Sequence, residues 1–515
     1  MRYGHGRHGR AVVLGGSVAG LVAARVLAGG YDEVVVVERD HLPEGAEHRR
    51  GVAQGRHVHA LLAGGQQALE QLFAGLTAEL TALGAPVGDM LGDVHAHLGG
   101  YALRRGRSDL LAVHVSRPAL EASLRARVRA LPNATLMDRC DGAGLTTTAD
   151  ATAVTGVRVI RRADGSAEET LAADLVVDAT GRHSRAPAAL EALGYGHPPV
   201  ERIGIGVGYA TRTYRLDPNA LGGDLGILVG ATPQHPRGGA LATVEGGRCL
   251  VTLFGVLGDH PPTDVAGFEE FASTLQCPEV YEAVRDAEPL DEPVAFRHPA
   301  SVRHRYERLR RFPDGLLVMG DAVSTFNPIY GQGMSVVALQ GLALRRHLAE
   351  PGCPRPLEYM REVGRIVDVP WGMAAGGDLS FPGAKGRRTV GMRLLGEYVT
   401  RLQAGAAHDA RLGRAFLRVA GLVDPPQALL GPGVVARALR PRRDTGSDWP
   451  TPQPAATARG RRRGRRPSAP PVRGMGALTP SPDGAGRAAD QAPTLRFGRL
   501  RPGTTRTPAR IRRPC

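Results

Sequence analysis

The sequence predicts an α/β fold: a parallel sheet flanked by helices, an antiparallel sheet set into the chain, and a helical C-terminal region. Three observations predict it. Short apolar runs alternate with helical patterns up to residue 199, the pattern changes to alternating stretches from about Val200 to Arg297, and Pro356 to Leu439 reads as mostly helical. The matching division is 1–199 and 301–350 for the parallel-sheet domain, 200–300 for the inserted sheet, 351–440 for the helical region and 441–515 for a tail.

The first unit is β-α-β. Ala11–Leu14 is apolar and ends in Gly15-Gly16-Ser17-Val18-Ala19-Gly20; a helical pattern then runs through Leu27, Gly29-Gly30 interrupts it, and Val34–Val37 is a second strand. Ala60–Leu72 and Pro118–Leu131 read as helices, and Ala134–Met137, Ala153–Ile160 and Asp174–Asp178 as strands. Asp164-Gly165 marks a hairpin. In the inserted sheet, Gly206–Tyr214, Leu241–Glu245 and Cys249–Phe254 are strands. Gly315–Met319 is a buried strand leading into a second glycine-containing turn, and Gln332–Leu348 is a helix.

A chain of 515 residues with 42% hydrophobic residues can bury a substantial core. No apolar run reaches the roughly 18 residues a transmembrane helix needs. The basic N-terminus is followed by a strand and not by a cleavage site, so no signal peptide is expected. Five scattered cysteines (Cys140, Cys249, Cys277, Cys353, Cys515) form no C-x-x-C pair. That argues against a disulfide framework or a zinc site and fits a cytoplasmic protein. The formal charge of +15 is concentrated: from Pro441 to Cys515 there are 17 Arg against 4 Asp, a net of +13, which leaves about +2 for the rest. This tail is rich in Pro, Arg, Gly and Ala and is expected to be disordered. Beyond Trp449 its one aromatic is Phe497, so it offers little stacking surface and no nucleic-acid partner is expected.

The turn after the first strand has the spacing of a Rossmann-type dinucleotide fingerprint, in which three glycines serve the tight turn, the approach of a pyrophosphate and helix–strand packing. Gly15 and Gly20 fill the first and third places, and Ser17 stands in the second. Helix-terminal amides there favour negative charge. Glu38, at the end of the second strand, is placed to bind ribose hydroxyls. Two further segments carry similar signals: Asp174-Leu-Val-Val-Asp-Ala-Thr-Gly-Arg-His-Ser-Arg185, and Gly315-Leu-Leu-Val-Met-Gly-Asp-Ala followed by Asn327-Pro-Ile-Tyr-Gly-Gln-Gly-Met334.

In this order the three motifs resemble the flavin-dependent aromatic hydroxylases and related FAD monooxygenases, over about Ala11 to Leu439. More narrowly, the chain is similar to actinobacterial FAD-dependent oxidoreductases with the stretch Gly55-Arg-His-Val-His-Ala-Leu. The resemblance implies FAD as cofactor and assigns roles. Gly15, Gly16, Ser17, Ala19 and Gly20 would hold the pyrophosphate, and Glu38 with its neighbour Arg39 the adenosine side. Arg56 would lie in an FAD-contacting loop, and Arg117 near the phosphate and ribityl region. Asp178 and Gly181 form the second motif; Gly320 and Asp321 would meet the ribityl chain; Pro328, Gly331, Gln332, Gly333 and Met334 would lie against the isoalloxazine ring. The implied activity is monooxygenation of a small aromatic or polycyclic metabolite, with NAD(P)H as electron donor and oxygen as co-substrate. No acid or base is singled out.

One departure matters. Aromatic hydroxylases usually carry G-A-D-G where this chain has Asp178-Ala-Thr-Gly181, so Thr180 replaces an aspartate. The A-T-G form also occurs in flavoproteins such as prenyl reductases. A reductase or dehydrogenase of a carbon–carbon double bond therefore remains the alternative, beside a catalytically silent FAD-binding protein. His57/His59 and His95/His97 each alternate, but no acidic or cysteine partner sits at ligand spacing, so no metal site is expected. Tyr209, Arg212 and Tyr214 are candidates to line the substrate pocket or an exposed strand face. The tryptophan and lysine signature of flavin halogenases is missing: Val369-Pro-Trp-Gly-Met373 and Lys385 do not match it.

Overall fold

The computed structural model describes residues 8–440 apart from 164, 218 and 351–353. Asp164 of the hairpin signal and the tail 441–515 lie outside the described residues. The core is a five-stranded, wholly parallel sheet in the order Leu316–Val318, Leu175–Asp178, β1 (His8–Leu14), β2 (Tyr31–Val37), Ala134–Met137. Parallel strands buried on both faces read as continuous apolar runs, as Val34–Val37 and Leu316–Val318 do. Helix α1 (Val18–Leu27) and helices Ala63–Leu72 and Gly333–Leu348 pack together beside it. Val154–Arg161 and Glu168–Ala172 pair as the expected hairpin.

A second, eight-stranded sheet contains Val207–Arg215, Gly226–Val229, Arg237–Val244, Arg248–Gly255 and Val294–His298. It is not built from residues 200–300 alone: Val94–Leu98 adds to Gly226–Val229 in parallel and carries Tyr101–Ala102 at its edge. Helices Val265–Ser273 and Glu279–Val284 cover one face through Phe268, Phe271, Val280 and Val284. The C-terminal region is helical at Pro356–Asp378, Val390–Ala406, Ala410–Ala420 and Pro432–Ala438. Pro370 lies inside the first of these helices. Among the described residues no helix is long and apolar enough to cross a membrane.

Candidate functional site

The three glycine-bearing motifs are far apart in the chain and meet at the carboxyl ends of the parallel strands, where open α/β sheets bind ligands. Gly15 has φ +102°, and a Cβ there would sit 2.5 Å from the carbonyl oxygen of Ala179. A Cβ on Gly20 would fall 1.7 Å from the carbonyl oxygen of Gly15, so α1 approaches the turn as closely as backbone allows. A Cβ on Gly320 would meet Ala19 at 2.9 Å, and one on Gly181 would meet Asp321 at 3.9 Å. First motif touches second, third touches first, and second touches third.

Around the first turn the structure assembles buried charge. Glu38 accepts hydrogen bonds from the amides of Gly16 (2.7 Å) and Asp40 (2.9 Å). Arg49 lies between Glu38 (3.3 Å) and Glu121, with which it forms a close ion pair. Arg117 donates to Glu121 (3.2 Å) and to the hydroxyl of Ser17 (2.9 Å). All four charged side chains are buried. Arg49 Nε nevertheless has no hydrogen-bond partner, while its Nη2 reaches the Gly16 carbonyl at 3.5 Å. Ser17 thus has a job that a second glycine would not: its hydroxyl holds Arg117 against the turn. Arg39 and Arg56 are exposed. Asp178 is buried and saturated by Thr180 and Ser184, so it shapes its own turn. Asp321 sits within the field of Arg182 and Arg117; burial raises its pKa despite both cations.

The other end is built from backbone. Asn327 and Pro328–Tyr330 form one short turn, Gly331 has φ +65°, and its Cβ would strike Ala60 at 2.6 Å. Gly333 opens the helix Gly333–Leu348, with open space where a side chain would be. Met334 and Gln332 are buried, and Gln332 Oε1 has no partner. The turn is pinned from beneath by Asp378, whose Oδ1 accepts from Asn327 Nδ2 (2.7 Å) and from the Tyr330 hydroxyl (2.9 Å). Asp378 is fully buried and its Oδ2 has no partner. Burial pushes its pKa up to about 6 against the pull of those two bonds.

Above the site, one face of the eight-stranded sheet presents Tyr209, Thr211 and Thr252. His57 Nδ1 lies 2.7 Å from Thr211 Oγ1, and the His57 ring meets Tyr209 edge-on at 4.6 Å. Phe296 stacks on Tyr209 at 5.3 Å, with the Arg182 guanidinium 5.0 Å from its centre. Burial, reinforced by His59, Arg56 and His48, lowers the His57 pKa to about 3, so the ring is neutral. Its Nε2 has no partner. Arg212 and Tyr214 do not share this face. Strand alternation turns them the other way, where Tyr214 joins the core under helix Val265–Ser273 and Arg212 pairs with Glu269. Sequence reasoning missed Arg49, Glu121, Arg182 and Asp378. Glu121 could have been sought one helical turn after Arg117 on the same helix; Asp378 ends a long helix and carries no local signal.

The fold is shared with solved flavoproteins. A flavoprotein/dehydrogenase from Cytophaga hutchinsonii matches 83% of this chain and 96% of its own at TM-score 0.59 and 14% identity. PqsL, a probable FAD-dependent monooxygenase from Pseudomonas aeruginosa, matches 73% of this chain and 99% of its own at TM-score 0.55 and 18% identity. No family model matches the sequence. Protein Rv3254 of Mycobacterium tuberculosis is 35% identical over 445 residues, 83% of this chain and 93% of that protein, and the chain belongs to its family.

Proposed function

We propose that the protein binds FAD and is a monooxygenase acting on a small aromatic or polycyclic metabolite, with NAD(P)H as electron donor and oxygen as co-substrate. The observation that carries the reading is the convergence of Gly15–Gly20, Asp178–Gly181 and Gly320–Gly333 at one strand-end cleft. The residues present suit the cofactor. A pyrophosphate brings two negative charges to a turn where Arg49 and Arg117 are buried and Arg49 Nε lacks a partner. Glu38 offers its carboxylate to ribose hydroxyls, and Asp321 accepts well from the hydroxyls of a ribityl chain. Gly331 lets the turn close against Ala60, Gly333 leaves backbone bare for a flat ring, and the amides opening helix Gly333–Leu348 favour negative charge on it.

Bound there, the flavin would supply the redox chemistry. The chain's own contribution is placement and exclusion of water. Tyr209, Phe296 and the neutral His57 form an apolar, edge-and-face aromatic wall suited to a planar substrate, with His57 Nε2 as its unpaired polar point. A second reading, reduction of a carbon–carbon double bond, draws on Thr180 in the A-T-G turn and on the dehydrogenase among the structural neighbours.

The test is direct. The purified full chain is expected to carry a flavin absorption spectrum and to consume NAD(P)H in an oxygen-dependent way with an aromatic substrate panel. Turnover that proceeds equally without oxygen would select the reductase, and a chain that takes up no added FAD would end both readings.

A further inference from the structure

The sheet face turned away from His57 carries a second cluster of ligand-type side chains. His95 and His97 lie two apart on strand Val94–Leu98, so both rings leave the same face. Their partners in register, Ile227 and Val229, belong to the core beneath helices Val265–Ser273 and Glu279–Val284, which fixes which face that is. The segment between those helices brings Cys277 and Glu279 against the two rings. One ligand atom from each of the four residues lies within 4.8 Å of all the others. His95 Nε2 and His97 Nε2 are 3.1 Å apart, and Cys277 Sγ and Glu279 Oε2 are 2.9 Å apart.

These separations suit a tetrahedral ion. Bonds of about 2.0–2.3 Å to nitrogen, oxygen and sulfur hold the ligand atoms of a tetrahedron roughly 3.3–3.8 Å apart. Small rotamer adjustments separate the present values from that geometry. Two imidazoles, a thiolate and a carboxylate are a borderline-soft set, which suits zinc and its first-row neighbours and not magnesium or calcium. Four protein ligands leave no open position, the mark of a structural site. Cys277 is fully buried and His97 nearly so, whereas His95 and Glu279 are partly exposed and leave a route from solvent.

We propose that His95, His97, Cys277 and Glu279 bind one divalent transition-metal ion of the zinc class, which fastens strand Val94–Leu98 to the segment Cys277–Glu279. Binding releases the Cys277 thiol proton, and zinc then replaces the thiol–carboxylate hydrogen bond. The sequence spacing could not reveal this site, because the two halves of the ligand set lie far apart in the chain. It does not depend on a flavin: the cluster faces away from the cleft.

The experiment uses the full chain with any affinity tag removed. Zinc is stripped with a chelator, added back as zinc chloride against a chromophoric competitor, and followed by elemental analysis and thermal unfolding. The expected result is one zinc per chain retained through desalting and a Tm that rises on zinc addition. His95→Ala and Glu279→Gln, both at partly exposed positions, should each weaken zinc binding by roughly 100-fold or more with flavin content unchanged. Wild-type protein that retains no zinc, or whose Tm ignores it, overturns the proposal. Equal zinc affinity in wild type and variants overturns it as well. If a variant fails to fold, the wild-type titration decides alone.

Discussion

The two ends of the cleft solve different problems with different materials. At the first glycine turn, two arginines and two glutamates are buried together, and the geometry is kept by charge. At the Pro328–Gly333 turn no formal charge lines the loop itself; backbone shape does the work, and one carboxylate beneath it holds the turn through Asn327 and Tyr330. A charged ligand end needs fixed counter-charges, whereas a flat ring needs a surface without side chains. The charge-built end should therefore fail when a partner is removed, and the shape-built end when volume or the buried proton is altered.

The largest effect is expected at the charged end. Arg49→Met leaves Glu38 buried without its cation and Glu121 with Arg117 alone, and should cost about 3–5 kcal/mol in unfolding free energy, with flavin lost. Arg49→Lys should recover only part of this, since a point charge cannot bridge both carboxylates as a guanidinium does. Denaturant unfolding and the flavin-to-protein ratio of each variant check it. Gly20→Ala tests shape at the same end: the added Cβ meets the Gly15 carbonyl, and a loss of about 3 kcal/mol is expected.

At the other end Asp378 gives a prediction of opposite sign. Its folded-state pKa is raised to about 6 from 3.8, so the proton is held more tightly in the folded chain. The stabilisation from this proton is complete below about pH 4 and is lost as pH rises through about 6. Asp378→Asn keeps an acceptor for Asn327 and Tyr330 but removes the buried charge. It should remove that pH slope and gain up to about 3 kcal/mol at neutral pH. Stability curves for wild type and variant at pH 5 and pH 8 decide it; parallel curves would mean that Asp378 carries no buried charge.

Smaller effects fall between the two ends. Asp321→Ala should weaken FAD binding by about 1.5–3 kcal/mol, roughly 10- to 150-fold in Kd, measured by fluorescence titration. Smallest of all, Tyr209→Phe should shift the KM for an aromatic substrate by less than about tenfold. Arg212→Lys, on the opposite face of the same strand, should leave KM unchanged.

Much of this organisation was legible in the sequence. The strands Val34–Val37 and Leu316–Val318 announced themselves because burial on both faces requires unbroken apolar runs. The turns at Gly15 and Gly331 did so because few residues other than glycine tolerate positive φ or such close approach. The histidine pairs show where legibility ends. His57/His59 and His95/His97 have the same spacing, yet His57 packs edge-on to Tyr209 while His95 and His97 face Cys277 and Glu279. Spacing fixes which side chains share a face and says nothing of what the rest of the chain brings to it. Asp378 and Arg182 were hidden for the same reason, and Arg212 and Tyr214 were misplaced because odd and even positions on a strand part company.

The order of pairing also sets a schedule for synthesis. In the central sheet β1 pairs on one edge with the nearby β2, but on the other Ala11 pairs with Leu175, and Val176 in turn with Leu316, so that second edge leaves the ribosome long before its partner exists. The antiparallel sheet is mostly local: Val207–Arg215 pairs with Arg248–Gly255, and that strand with Arg237–Val244. Local pairings close early and distant ones late. The nascent chain should thus complete most of its second sheet while the first still waits for its last strand, leaving the apolar open edge beside β1 as the part most in need of a chaperone.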